Sequence, residues 1–146
     1  MEKLKINKEI QINTAIQKVF DFLTDPAKIP LVMPGLVENT NIPELPLKVG
    51  SSFKFKYEMM SIVEEGTWTV TEINSPNSYQ AKTTGRLPSN FKYTLAEKDG
   101  GTFLQVEIEY QAPESVIAKV ETSVVKSLNE KETDKFLENI KTALEL

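Results

Sequence analysis

The chain has 146 residues, 17 basic and 21 acidic, with a formal charge of −4; 40% of it is apolar and 26% charged. That is the size of one soluble domain, able to bury about two-thirds of its unfolded surface without a metal or a disulfide. It contains no cysteine and no histidine, which excludes disulfides, zinc-finger ligand sets, thiolate nucleophiles, imidazole bases and Ser-His-Asp triads. Lysines are interleaved with acids rather than clustered, so nucleic acid is not an expected partner. No apolar run approaches the ~20 residues that span a bilayer. Met1-Glu2-Lys3-Leu4-Lys5 lacks the apolar stretch of a signal peptide, and the expected location is the cytoplasm.

Leu4 to Ile12 alternates Leu4, Ile6, Lys8, Ile10 and Ile12 against polar neighbours. This is the period of a half-buried strand, with Lys8 out of pattern. Thr14-Ala15-Ile16-Gln17 has the form of a capping box. Ile16, Val19, Phe20 and Leu23 follow as one apolar stripe of a helix. Asp25-Pro26 ends that helix and suits the start of a second, which Pro30 and Pro34-Gly35 keep short. From Val37 to Pro113 the pattern is strand and turn. Phe53, Phe55, Tyr57 and Met59 alternate with polar residues; Thr67 to Ile73 is β-branched around Trp68; Ser75-Pro76-Asn77 is a turn. Tyr79, Ala81 and Thr83 form one strand face, and Phe91, Tyr93 and Leu95 another. Asp99-Gly100-Gly101 marks a hairpin, after which Leu104, Val106, Ile108 and Tyr110 share a face. Such alternation predicts an antiparallel sheet with one wet and one covered face. Beyond Pro113 the period is helical. Val120, Val124 and Leu128 make one stripe and Phe136, Leu137, Ile140 and Leu144 another, separated by polar Asn129 to Lys135, where Thr133 is the one candidate to bridge. One long helix and two helices kinked near Asn129 both fit. The expected class is α+β: a curved antiparallel sheet of about six to seven strands around a long C-terminal helix, with two short helices after the first strand, in one domain spanning 1–146.

Several segments stand in a familiar order. Ile12-Asn13-Thr14 leads into Val19-Phe20-Asp21-Phe22-Leu23-Thr24-Asp25-Pro26, then Met33-Pro34-Gly35. Val49-Gly50-Ser51-Ser52-Phe53 opens a strand, and Trp68-Thr69-Val70-Thr71-Glu72-Ile73 precedes Ser75-Pro76. Gly100-Gly101-Thr102 opens the last strand, and Tyr110-Gln111-Ala112-Pro113 leads into the terminal helix. In this the chain resembles the START-like, or Bet v 1-like, superfamily, also called the polyketide cyclase/dehydrase and lipid transport family. The resemblance implies the helix-grip fold over nearly all 146 residues. It implies much less about function, because one scaffold hosts carriers, receptors, cyclases and chaperone partners.

The fold so implied has a cavity between the concave sheet face and the terminal helix. Strand parity assigns Phe55, Tyr57, Met59, Trp68, Val70, Ala81, Tyr93, Leu104, Val106 and Ile108 to its lining, with Val124, Leu128 and Phe136 from the helix. The same face also reads as plain core, since an alternating aromatic face needs no ligand to explain it. Tyr57, Tyr93 and Tyr110 are candidates to orient a ligand carbonyl or phenol, though a buried phenol usually bonds within the protein. Met59-Met60 reads as an adaptable wall or as gap filling. Arg86, the one arginine, is either a clamp for an anion at the cavity mouth or a solvated turn residue. Glu64-Glu65-Gly66 reads first as a polar hairpin turn and alternatively as the holder of a carboxylate near the cavity rim, and Glu58 and Glu72 fall on the solvent side. Lys48-Val49-Gly50-Ser51 lacks the glycines of a phosphate-cradling loop. Glu130, Glu132, Asp134 and Glu138 alternate with Lys131, Lys135 and Lys141 as a solvated helix face and not a metal site.

The first expectation is a carrier or sensor that binds or transports a small hydrophobic molecule (lipid, isoprenoid or polyketide-like), with no cofactor, no metal and no catalytic residue. The alternatives are a polyketide cyclase/dehydratase-type enzyme and a protein-interaction module with a filled core. A Glu or Tyr oxygen pointing into an enclosed pocket would favour chemistry, and an all-apolar lining carriage.

Overall fold

Strand β1 (Leu4–Ile12) opens the fold in the computed structural model, which describes residues 3–59, 61–85, 88–111 and 122–146. Helix α1 (Ile16–Leu23) follows. Then come β2 (Leu36–Thr40), β3 (Ser52–Met59), β4 (Ile62–Asn74), β5 (Ser78–Gly85), β6 (Ser89–Lys98) and β7 (Gly101–Tyr110), and helix α2 (Thr122–Glu145) ends the chain. The strands form one antiparallel seven-stranded sheet in the order β1-β7-β6-β5-β4-β3-β2. β2 to β7 thus succeed one another as neighbours, and β1 closes the far edge on β7, from Leu4↔Tyr110 to Ile12↔Thr102. The sheet curls as a half-barrel around α2, the helix-grip arrangement.

The predicted strand faces are the faces observed. Leu4, Ile6 and Ile12 of β1, Tyr79 and Ala81 of β5, Tyr93 and Leu95 of β6, and Leu104, Val106 and Tyr110 of β7 are buried. Lys8, on the inward side of β1, has a simple cause: its amine reaches Asp134 at 3.4 Å and Glu130 at 3.7 Å on α2. Its alkyl stem packs while the charge meets the helix carboxylates. At the β6–β7 hairpin Asp99 and Gly100 both take positive φ, +49° and +77°, as a two-residue turn matching the sheet twist requires.

Four local expectations are corrected. Thr14 does not cap α1: the N-cap is Ala15 with no side-chain bond. The Thr14 hydroxyl instead donates to the Leu144 carbonyl at 2.8 Å, and Gln17 bonds Asp21 and Ser75. Satisfying the open carbonyl at the end of α2 took precedence over the open amides of α1. The second short helix is a single 3₁₀ turn, Ile29–Leu31, since Pro30 and Pro34 limit its length. Glu64-Glu65-Gly66 lies inside β4 rather than in a turn, paired with Tyr57, Lys56 and Phe55 of β3. The reversal falls three residues before Glu64, where Ser61 takes φ +68°. Glu64 is therefore 1% exposed. Gly66 is required there, because a Cβ would lie 2.2 Å from the Thr84 carbonyl oxygen and 2.7 Å from the Phe55 ring.

The fourth correction concerns which face α2 buries; the helix itself runs unbroken from Thr122 to Glu145, the first of the two expected forms. Its buried face is Val125, Asn129, Thr133, Phe136, Leu137 and Ile140, a continuous helical stripe. Val124 is 49% exposed where Val125 is fully buried, and Leu128 is only half-buried. The polar segment does not interrupt the stripe, because its inward side chains bond internally. Asn129 Nδ2 donates to the Tyr110 hydroxyl and the Val125 carbonyl, and Thr133 Oγ1 donates to the Asn129 carbonyl at 2.8 Å. No helix among the described residues is long and apolar enough to cross a membrane.

Candidate functional site

The concave face is unevenly filled. Toward the C-terminal half of α2, Leu137 and Ile140 close on Ile12, Val19, Phe20, Leu95 and Leu104 as continuous core. Toward its N-terminal half a partly open cavity of about 130 Å³ remains, lined from every strand of the sheet, α1, α2 and the segment after α1. Its wall is aromatic. Trp68 stacks on Phe53 at 6.0 Å and meets Phe91 at 4.8 Å; Tyr79 stacks on Tyr93 at 5.8 Å, and Tyr93 abuts the Phe136 edge at 6.4 Å. Trp68 Nε1 donates to the Tyr79 hydroxyl at 2.8 Å, which locks the indole against the wall. Contacts of this kind contribute about 0.5–1.5 kcal/mol each beyond their area. Another part of the lining is half-buried Ile29, Met33, Pro34, Leu36 and Asn39. It is tied in place by Asn39 Nδ2 on the Pro26 carbonyl at 2.8 Å and by Asn139 Nδ2 on the Val32 carbonyl at 2.9 Å.

One end of the cavity is polar. The Tyr57 hydroxyl donates to Glu132 Oε2 at 2.7 Å, and Asn129 Nδ2 donates to the Tyr110 hydroxyl at 2.5 Å. Burial pushes the Glu132 carboxyl above its ordinary value, and the Tyr57 bond opposes this without cancelling it. Burial, with the Glu132 charge adding to it, drives the Tyr57 phenol far above its ordinary value. Tyr110 is pushed up to about 12, again mainly by burial. These phenols are therefore neutral hydrogen-bonding groups. Gly35 sets the position of Tyr57: its φ is +85°, its carbonyl accepts from Glu58 N at 2.7 Å, and a Cβ there would lie 2.8 Å from the Tyr57 ring.

Of the residues expected to line the cavity, Phe55, Tyr57, Met59, Trp68, Tyr93, Ile108 and Phe136 do so. Val70, Ala81, Leu104 and Val106 point to the same side but are buried core away from it. Val124 and Leu128 lie off the lining, for the register reason given above. Sequence reading missed Phe53, Tyr79, Phe91, Asn129, Glu132 and Thr133 as lining residues. The three aromatics share the parity of residues already assigned, so parity was a sufficient signal. The three α2 residues were hidden because polar side chains on a helix read as solvated. The possible roles of Arg86 and Met60 fall on residues outside those described. Among the described residues no group of acids is arranged to hold a metal ion.

The family described as polyketide cyclase / dehydrase and lipid transport matches residues 3–145. Comparison with curated protein sequences gives no match. Among solved structures, TTHA0849 from Thermus thermophilus superposes with a TM-score of 0.81 at 10% identity over 97% of each chain. A START superfamily protein from Mycobacterium smegmatis gives 0.76 at 11% identity, again over 97% of each. The di-domain ARO/CYC BexL from the BE-7585A biosynthetic pathway gives 0.72 at 16% identity, over 99% of this chain and 50% of that one. At these identities the likeness is one of fold.

Proposed function

The chain belongs to the polyketide cyclase / dehydrase and lipid transport family, and from that membership we propose that it binds one small apolar molecule, of one or two rings, beneath α2. The observation that carries the reading is the open, aromatic-walled space itself. Leaving about 130 Å³ unfilled costs a domain at most about 3 kcal/mol, at roughly 24 cal/mol per Å³ of cavity. A single larger side chain would recover much of that, so a sequence that keeps the space open is better explained by an occupant than by core packing. The volume is near the ~150 Å³ of an apolar cavity that accepts benzene, which sets the ring count.

Trp68 is the only tryptophan and part of the lining, so it reports binding directly. Titration with 4-bromotoluene, whose bromine quenches indole emission on contact, should saturate. Ile108→Phe, which fills the cavity from β7, should abolish the quenching. Quenching that is linear in probe concentration, or unchanged by Ile108→Phe, refutes the reading.

A second reading is favoured by one observation, the Tyr57–Glu132 pair at the cavity's polar end. A carboxylate with a raised pKa in an apolar site suits general-base work, which fits an enzyme of cyclase or dehydratase type. Glu132 would take the proton from a carbon between two carbonyls, leaving the electron pair on the enolate. This predicts that the protein accelerates deuterium exchange at the methylene of a cyclic 1,3-diketone, and that Glu132→Gln does not. Equal exchange by both proteins rejects it.

A further inference from the structure

Resting on the reading that the cavity holds an apolar ring, we propose that Glu132 makes the site selective for rings carrying a hydroxyl or N–H donor, and exclusive of carboxylates. The donors that α2 itself carries there, and that of Tyr57, are spent within the protein, whereas the Tyr110 hydroxyl, which accepts from Asn129, keeps its own hydrogen. The Tyr57 hydrogen goes to Glu132 Oε2; the Asn129 amide serves the Tyr110 hydroxyl and the Val125 carbonyl; the Thr133 hydroxyl serves the Asn129 carbonyl. What α2 itself still offers is acceptor capacity, chiefly the second oxygen of Glu132, a residue of the cavity lining.

No cation among the described residues pairs with Glu132. The nearest helix acids on either side, Glu130 and Asp134, share Lys8, whereas the Glu132 carboxylate is turned to Tyr57. Burial has taken part of its hydration, as its raised pKa reflects. A half-desolvated carboxylate facing an apolar wall is improved by any ligand that supplies a donor. A ligand carboxylate brought to the same place meets like charge in a low-dielectric surrounding, with no cation to offset it. Free fatty acids and aromatic acids are thus disfavoured, although their apolar parts suit the wall.

The test is calorimetric titration at pH 7.5 with naphthalene, 1-naphthol, 1-naphthoate and 1-naphthylmethylammonium, against the unmodified protein and Glu132→Gln. The expected order is naphthol at least tenfold tighter than naphthalene, and naphthoate at least tenfold weaker than naphthalene. Glu132→Gln, whose amide both donates and accepts, should compress the naphthol-to-naphthoate ratio by tenfold or more while leaving naphthalene within about twofold. If the unmodified protein binds naphthalene, naphthol and naphthoate equally, or if Glu132→Gln keeps their order and spacing, the selectivity is overturned while the ligand-binding reading stands. Weaker binding of the ammonium probe than of naphthoate overturns the role given to the Glu132 charge. Failure of all four probes to bind overturns both.

Discussion

Replacing Tyr57 by Phe removes one oxygen and one hydrogen bond, the 2.7 Å contact to Glu132, and leaves the ring against Gly35. A hydrogen bond to a charged partner contributes about 1.5–3 kcal/mol. Glu132 is half-buried rather than enclosed, so water restores part of the loss, and the lower figure applies: about 1.5 kcal/mol at pH 7.5. For a domain of this size that is a fall in Tm of about 3–6 °C. The loss must also depend on pH. The bond favours the ionised carboxyl, so its removal raises a folded-state pKa that already lies above the ordinary 4.5. An acid whose pKa is raised by folding costs stability above that pKa and costs none once protonated in both states. The penalty of Tyr57→Phe is therefore largest at neutral pH. It shrinks as pH falls through the Glu132 titration and is reduced, well below 4.5, to the value of a neutral hydrogen bond. Urea unfolding of both proteins across this range measures it, and a Glu132→Gln background should show the smaller, pH-independent loss throughout. A Tyr57→Phe protein as stable as the parent at pH 7.5, or one with the same deficit at all pH values, refutes the pairing.

Glu132→Gln keeps an acceptor for Tyr57 and removes a partly desolvated charge, so it should unfold at a higher urea concentration than the parent at pH 7.5; the advantage disappears as pH falls below the ordinary carboxylate value. Gly35→Ala forces a Cβ at φ +85° to within 2.8 Å of the Tyr57 ring and 2.9 Å of the Glu58 carbonyl, and thermal melts should show a loss of about 2 kcal/mol. Val125→Ala should cost about 2 kcal/mol from buried methyls and the space they leave, against under about 0.5 kcal/mol for exposed Val124→Ala. Equal effects at 124 and 125 contradict the helix register.

How much of this was legible in the chain follows from the kind of side chain at each position. On the strands, alternation is strict, so Phe55, Tyr57, Trp68 and Tyr93 could be assigned to the concave face by parity alone. Parity does not say how far along the curl the helix lies close to the sheet. Val70 and Leu104 therefore share the cavity face yet belong to solid core. On α2 the apolar residues Phe136, Leu137, Ile140 and Leu144 are legible, and counting back by helical turns reaches Thr133, Asn129 and Val125. Choosing Val124 and Leu128 followed from hydrophobicity where geometry required accepting polar residues. Glu64 was misread for the opposite reason: two acids and a glycine resemble a turn, and only the pairing with β3 places them in a strand.

The absence of histidine and cysteine, the alternating strands and the long terminal helix were decided by the sequence itself. These follow from residue types and periods that act over a few neighbours, and they restrict any chemistry to oxygens and amines. The cavity, its polar end and the unusual state of Glu132 were decided only by tertiary structure. Tyr57 and Glu132 are 75 residues apart, and the environment of a carboxyl is set by what the fold brings around it, not by its neighbours in the chain.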